Sequence, residues 1–463
     1  MKKPDRIGAR RTAVIFTIVV ATAFVLAGCS GATTTTSTSA TSTALDCHGC
    51  GDGKSINVLL ENWGAPAGEQ TAWENQVAKV FKKDTGATVN FSEYVGSTGE
   101  ETAIETDSAS KSGPDIFQVA NSLVATANSA GVFSKITPTD WKLLGGKSRF
   151  LPQAYSQNLT GGTMVAQWLS DTIMAYNTKL FAEAGIKSPP TTWNAFVTDA
   201  KKITALGNGT YGVGFDPADP YDPWHEIYLL SQQDGGNLVK SSGTPGNLTS
   251  AAVEKATNFW FDFYTKFHIA PPASASWTQS QEMASFAQGK LGMLLLTTAQ
   301  VESVSKGQPA QGNIAFAGMP SVPYGEKALP KGQAPIKTLT FSWNLGATSW
   351  STEKPLDYRF LQIATGVSAE KLLATAYNEV PSTVAATAAE KNNSALAPSI
   401  EYMAGGAAPP ALAYWGSVEV AVANAASALS RDIQNGSYNS SAIQSELQTG
   451  DAQINAAAAS STK

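Results

Sequence analysis

Between Ile56 and Phe117 the chain alternates short apolar runs with helical periodicities, and this alternation restricts the fold more than any other feature. Ile56-Asn57-Val58-Leu59-Leu60 reads as a strand. Trp73, Val77, Val80 and Phe81 then recur at helical spacing, and Gly86 predicts where that helix stops. Thr88-Val89-Asn90-Phe91 is a second strand, rich in β-branched and aromatic residues. A helix through Glu101 to Lys111 leads to Gly113-Pro114, and Asp115-Ile116-Phe117 is a third strand. A β-α-β-α-β order predicts a parallel sheet with helices on its faces. Further on, Trp193 to Leu206 is amphipathic, Tyr211 to Phe215 and Lys290 to Leu296 read as strands, and Ala411 to Leu429 as a long Ala-rich helix. Val253, Trp260, Phe261, Tyr264 and Phe267 form one helical stripe, and no internal repeat is present.

The first residues belong to no such domain. Lys2, Lys3, Arg6, Arg10 and Arg11 form a basic head, and Ala13 to Ala27 an apolar run that ends in small residues. A charged start, a short apolar core and small residues mark an export signal. The run is short for a membrane span, which needs about 20 apolar residues. Ser30 to Ala44 is almost only Ser, Thr, Ala and Gly, which has nothing to bury and reads as a flexible spacer over 29–53. Cys47-His48-Gly49-Cys50 interrupts it, and outside the cell a disulfide between Cys47 and Cys50 is expected. Redox use would need a thioredoxin-like surround, c-type haem a His where Gly51 stands, and a metal more ligands than His48. Without residues 1–28 the chain keeps 27 basic and 36 acidic residues, about −9 in charge. That balance argues against nucleic acid and against an anionic membrane surface as partners.

Leu26-Ala27-Gly28-Cys29 resembles a bacterial lipoprotein signal. The resemblance implies lipidation (palmitate among the acyl chains) on Cys29, removal of 1–28, and a protein held on the outer face of the cell membrane. About 400 residues remain, too many for one core, so two lobes are expected. Their segments resemble, in order and spacing, the extracellular sugar-binding subunits of ABC importers, the family of maltose-binding protein. The resemblance rests on four stretches. These are Gly113-Pro114-Asp115-Ile116-Phe117 with Ala130-Gly131-Val132-Phe133; Ile173 to Phe181 with Ala184-Gly185-Ile186 and Pro189-Pro190-Thr191-Thr192-Trp193; Phe286 to Met293; and Pro410 to Trp415 with its helix. It implies an α/β, two-lobed, periplasmic-binding-protein-like fold of class II type, with the ligand in a cleft between lobes joined by crossing hinge strands. Lobe one would be 54–167 with 341–395, and lobe two 168–340 with 396–456. It also implies a carbohydrate ligand, an ABC transporter permease as partner, no cofactor and a monomer.

Ligands of open α/β sheets bind outside the carboxyl ends of strands. A sugar shows hydroxyls at its rim and C–H groups on its faces, so it needs carboxylates and amides around it and an aromatic plane beneath. Glu61, Asn62 and Trp63 follow the first strand and offer all three. Asn121 and Ser122 match a sugar-contacting loop of the family. Trp168, Ser170 and Asp171 fall on the expected crossing strand, and Trp343 and Asn344 on the second crossover. The loop Asp216 to Trp224 carries Asp216, Tyr221 and Trp224, with Tyr221 matching a family aromatic that stacks on sugar. Its three acids suit Ca2+ as well, but their spacing has no EF-hand pattern, and no metal site is expected. Trp277 is a further candidate, and Tyr414-Trp415 opens the long helix, with Trp415 matching a family stacking residue. One departure stands out: Thr297-Thr298-Ala299-Gln300 occupies a place where many family members have Gly and an aromatic. The rival classes are a glycan-processing enzyme, which would need a carboxylate pair across the sugar, and a cell-wall lectin. There is no Gly-x-Ser-x-Gly and no zinc-ligand spacing around His225 or His268, so a non-enzyme is expected.

Overall fold

A computed structural model describes residues 49–63, 68–306, 308–329 and 331–461. The expected signal peptide, Cys29 and Cys47 lie outside the described residues. Cys50 is disulfide-bonded. The last part of the expected spacer, Gly49 to Gly53, is packed on the domain: Gly51 is buried, and its N–H donates to the Thr85 carbonyl at 2.9 Å.

Strand β1 (Ser55–Glu61) alternates by twos, with Ile56, Val58 and Leu60 fully buried. It pairs in parallel with β2 (Thr88–Tyr94) on one side and β3 (Ile116–Ala120) on the other. The helix between β1 and β2, Glu69–Thr85, buries Trp73, Val77 and Phe81, four residues apart on one face. Gly86 ends it with φ 80, a left-handed cap that glycine adopts freely. Val80, at the same expected periodicity, is 40% exposed, because it sits one position off that face.

Strand β4 (Val165–Asn177) joins the two halves of the molecule. All but one of its 13 residues are buried, as in a strand covered on both faces. Its first part, Val165 to Asp171, pairs with the later β8 (Thr340–Ala347), which in turn pairs with β3. Its second part, Thr172 to Asn177, enters another sheet between β6 (Leu291–Thr297) and β7 (Ile314–Ala317), with β5 (Tyr211–Val213) parallel to β6. The two-residue β9 (Val380–Pro381) also docks on β4, at Trp168 and Leu169. The first sheet is therefore mixed, ordered β2-β1-β3-β8-β4, and not purely parallel as the local pattern implied.

Each lobe has its own core on the faces of its sheet. Ile56, Val58, Trp73, Phe81 and Phe360 belong to the first, and Trp193, Phe196, Trp260 and Phe263 to the second. Burying one large apolar side chain contributes about 1.5–3 kcal/mol. The long helix runs Trp415–Asn435, starting later than the Ala-rich run. A last helix, Ser440–Ser461, packs on it through Ile443, Leu447 and Ile454. Among the described residues no helix is long and apolar enough to cross a membrane.

Candidate ligand-binding cleft

The first wall grows from the carboxyl ends of β1 and β3. Trp63 follows β1 and is fixed by its indole N–H, which donates to Gln118 Oε1 at 3.2 Å. Its ring meets Trp73, Trp168 and Tyr377 edge to face, at 5.4, 5.0 and 5.5 Å. Trp168 on β4 lies opposite Trp343 on β8 in the ladder, and their rings are 6.2 Å apart. Trp63, Trp343 and Tyr377 are half-buried, so this cluster keeps open surface. Glu61 beside it has its carboxyl pushed up to about 7 by burial. Asn62 is exposed, with its amide donating to Glu93 at 2.7 Å.

The second wall faces the other end of β8. Phe341, two residues before Trp343 on the same strand face, packs against Trp224 at 5.6 Å and His225 at 5.2 Å. Trp224 meets Trp415 at 6.0 Å and Tyr221 at 6.1 Å. Trp224 and Trp415 are 1% and 0% exposed, so neither offers an open face in this conformation, whereas Tyr221 is 45% exposed. Tyr414 caps the Trp415–Asn435 helix and is half-buried.

Around Tyr221 stands a set of carboxyls. Asp216 follows β5, Asp219 accepts the backbone N–H groups of Tyr221 and Asp222 at 3.0 and 2.9 Å, and Asp222 meets His225 Nδ1 at 3.0 Å. Glu282 lies so close to the end of β5 that a Cβ on Gly214 would fall 2.0 Å from its Oε1. Burial, reinforced by neighbouring carboxyls, pushes Asp216, Glu226 and Glu282 well above the carboxylate range. Burial likewise holds Glu419 at about 8, near the Tyr221 hydroxyl and the Trp415 indole. That indole N–H nevertheless meets no acceptor at hydrogen-bond geometry.

Where β4 passes between the sheets, Ser170 Oγ lies 3.1 Å from Thr298 Oγ1, and the Thr338 hydroxyl donates to Asp171 at 3.2 Å. Asp171 is fully buried, and desolvation raises its carboxyl to about 7. Thr298, in the segment that lacks the family aromatic, thus binds the hinge strand instead.

The expected residues separate into groups. Trp63, Trp168 and Trp343 come together, as do Asp216, Tyr221, Trp224, Tyr414 and Trp415. Asn121 and Asn344 tie strands: Asn121 Oδ1 accepts from Ser342 N at 3.0 Å, and buried Asn344 donates to the Val119 carbonyl of β3 at 3.2 Å. Trp277 packs beside the core under β6 instead of joining either aromatic group. Sequence reading passed over Phe341, Tyr377, Glu379 and Glu419. Phe341 was signalled by its i, i+2 relation to Trp343, and Glu419 by standing one helical turn after Trp415.

The two lobes meet across the cleft. Thr126 Oγ1 of the first donates to the Ala413 carbonyl of the second at 2.9 Å. Beside this contact a cavity of about 500 Å3 is bounded by Glu101, Ser122 and Leu123 on one side, and by Tyr221, Glu419 and Gln453 on the other.

Comparison with known proteins decides the family. The profile of the bacterial extracellular solute-binding protein family matches residues 65–371. The chain belongs to that family. It is 26% identical over 388 residues to the diacetylchitobiose binding protein DasA of Streptomyces coelicolor, covering 79% of this chain and 82% of that protein. Among solved structures, maltose-bound MalE3 of T. maritima superposes with a TM-score of 0.67 at 17% identity, over 85% of this chain and 99% of that one. An ABC substrate-binding protein of Listeria monocytogenes in complex with cycloalternan gives 0.66 at 19% identity, over 87% and 98%. At these identities the structures speak for the two-lobed fold.

Proposed function

We propose that this solute-binding protein captures an oligosaccharide between its lobes and delivers it to an ABC transporter permease. The observation that carries this reading is a pairing on the cleft walls and directly behind them. Aromatic rings stand beside buried polar atoms without a hydrogen-bond partner among the described residues. The donors are the indole N–H groups of Trp168, Trp224 and Trp415. With them stand single carboxyl oxygens of Asp171, Asp216, Glu226 and Glu379. A buried polar group without a partner costs about 1–3 kcal/mol. Hydroxyls both donate and accept, and sugar C–H faces lie on aromatic planes, so one class of ligand answers both needs. The relatives support the choice, since they bind diacetylchitobiose, maltose and cycloalternan.

The lobes are 54–167 with 341–395, and 168–340 with 396–456, turning about β4 and β8. Ligand stabilises the closed arrangement only through contacts to both lobes. The protein works as a monomer without chemistry or cofactor, outside the cell, held by lipid on Cys29. A thermal-shift screen against neutral oligosaccharides tests the reading. Micromolar ligands, about −8 kcal/mol, are expected. A library in which no sugar raises the Tm, or in which a glycan is cleaved, overturns it.

A further inference from the structure

Two glutamines are fully buried in the first sheet, Gln118 on β3 and Gln167 on β4. Gln118 Oε1 accepts two N–H groups, from the Glu61 backbone at 2.9 Å and from the Trp63 indole at 3.2 Å. Both of these groups can only donate, so the atom between them is the amide oxygen, and the Gln118 nitrogen faces the other way. It donates to Gln167 Oε1 at 2.6 Å, across β8, which lies between the two strands. Gln167 reaches this position because β4 is irregular. Ala166 pairs with Asn344 and Trp168 with the adjacent Trp343, which leaves Gln167 over as a bulge. A bulge re-aims a side chain within a strand.

Sheet stability does not account for this pair. Gln167 Nε2 is buried without a hydrogen-bond partner among the described residues, a cost that an apolar side chain would avoid. The loop after β1 has its own ties: Gln70 Oε1 accepts from the Trp63 backbone N–H at 3.0 Å, and Gln70 Nε2 donates to the Glu61 carbonyl at 3.0 Å. What Gln118 adds is the turn of the Trp63 ring, which stands at 86° to Trp168 and 88° to Tyr377.

We propose that Gln118 and Gln167 are positioning residues for ligand binding: the β4 bulge aims Gln167 at Gln118, and Gln118 sets the Trp63 ring for the sugar. A ring released from this relay must be ordered again when ligand binds, which costs affinity. The assignment rests on the oligosaccharide reading above and adds to that site two residues that act through Trp63.

Calorimetric titration tests it, with the tightest binder from a panel of diacetylchitobiose, maltose, cello-oligomers and xylo-oligomers. Gln118→Met should weaken binding about three- to tenfold when Trp63 is present, but less than about twofold in combination with Trp63→Phe, whose ring has no N–H to hold. Gln167→Met exchanges one unpartnered nitrogen for another, so its Tm should stay within about 2 °C while affinity falls about two- to fivefold, with no further loss when it is added to Gln118→Met. Equal losses from Gln118→Met with and without Trp63→Phe overturn the positioning role and leave the sugar receptor standing. So does a Gln167→Met protein that keeps its affinity, and this result decides alone if Gln118→Met does not fold. Failure of the whole panel to bind removes both readings.

Discussion

The two walls of the cleft use aromatic residues in opposite ways. On the first lobe Trp63, Trp343 and Tyr377 are half-buried around Trp168, and their rings keep surface to offer. On the second lobe Trp224 and Trp415 are sealed in the core, whereas Tyr221 reaches solvent among carboxyls and Tyr414 is half-buried. An open indole can stack on a sugar face; a sealed one holds the wall that positions the groups in front of it. On the proposed function, the first wall would supply contact area and the second shape and polar groups, so that affinity and selectivity would reside on different lobes.

Substitutions across the walls should separate these roles. Trp415→Ala empties a fully enclosed site and should cost about 3–5 kcal/mol of stability in urea unfolding. A loss no larger than that of Trp343→Ala would break the contrast. Next comes pH. Asp171 at about 7 and Glu419 at about 8 hold protons in the folded state that the unfolded chain releases at ordinary carboxylate values. Folded protein binds more protons there, so the stability these two groups contribute is full below about pH 4 and is lost as pH rises to about 8. The Tm should drop by several degrees between pH 5 and pH 8, and less steeply in Glu419→Gln; a Tm rising over that range refutes the assignment. Trp343→Ala should weaken oligosaccharide binding by about tenfold, or about 1.4 kcal/mol, with a much smaller change in Tm than Trp415→Ala. The smallest effect belongs to Thr126→Val, which removes the bond to Ala413. A neutral hydrogen bond contributes about 0.5–1.5 kcal/mol, so affinity should fall about two- to tenfold through the closed state alone.

The same contrast shows what could be read from sequence. β1, the helix after it and β2 were legible because their burial follows local periodicity, as with Trp73, Val77 and Phe81, and β3 as a short apolar run after Gly113-Pro114. The insertion of β8 between β3 and β4 was not, since its partners are more than 150 residues away and no local signal specifies antiparallel pairing. The helix Ser440–Ser461 went unnoticed among Ala and Ser, although Ile443, Leu447 and Ile454 keep helical spacing. Trp63 and Trp168 were found because they follow or form strands near the switch between sheets. Glu419 and Glu379 were missed because a carboxylate in sequence reads as solvent-facing, and only the fold shows that both are buried.

Closure of two lobes about β4 and β8 on a bound oligosaccharide is most directly tested by small-angle X-ray scattering of the protein with and without saturating sugar. The radius of gyration should fall when ligand is added, with no change in mass. Identical scattering curves from the free protein and from one shown by calorimetry to be saturated would contradict the account.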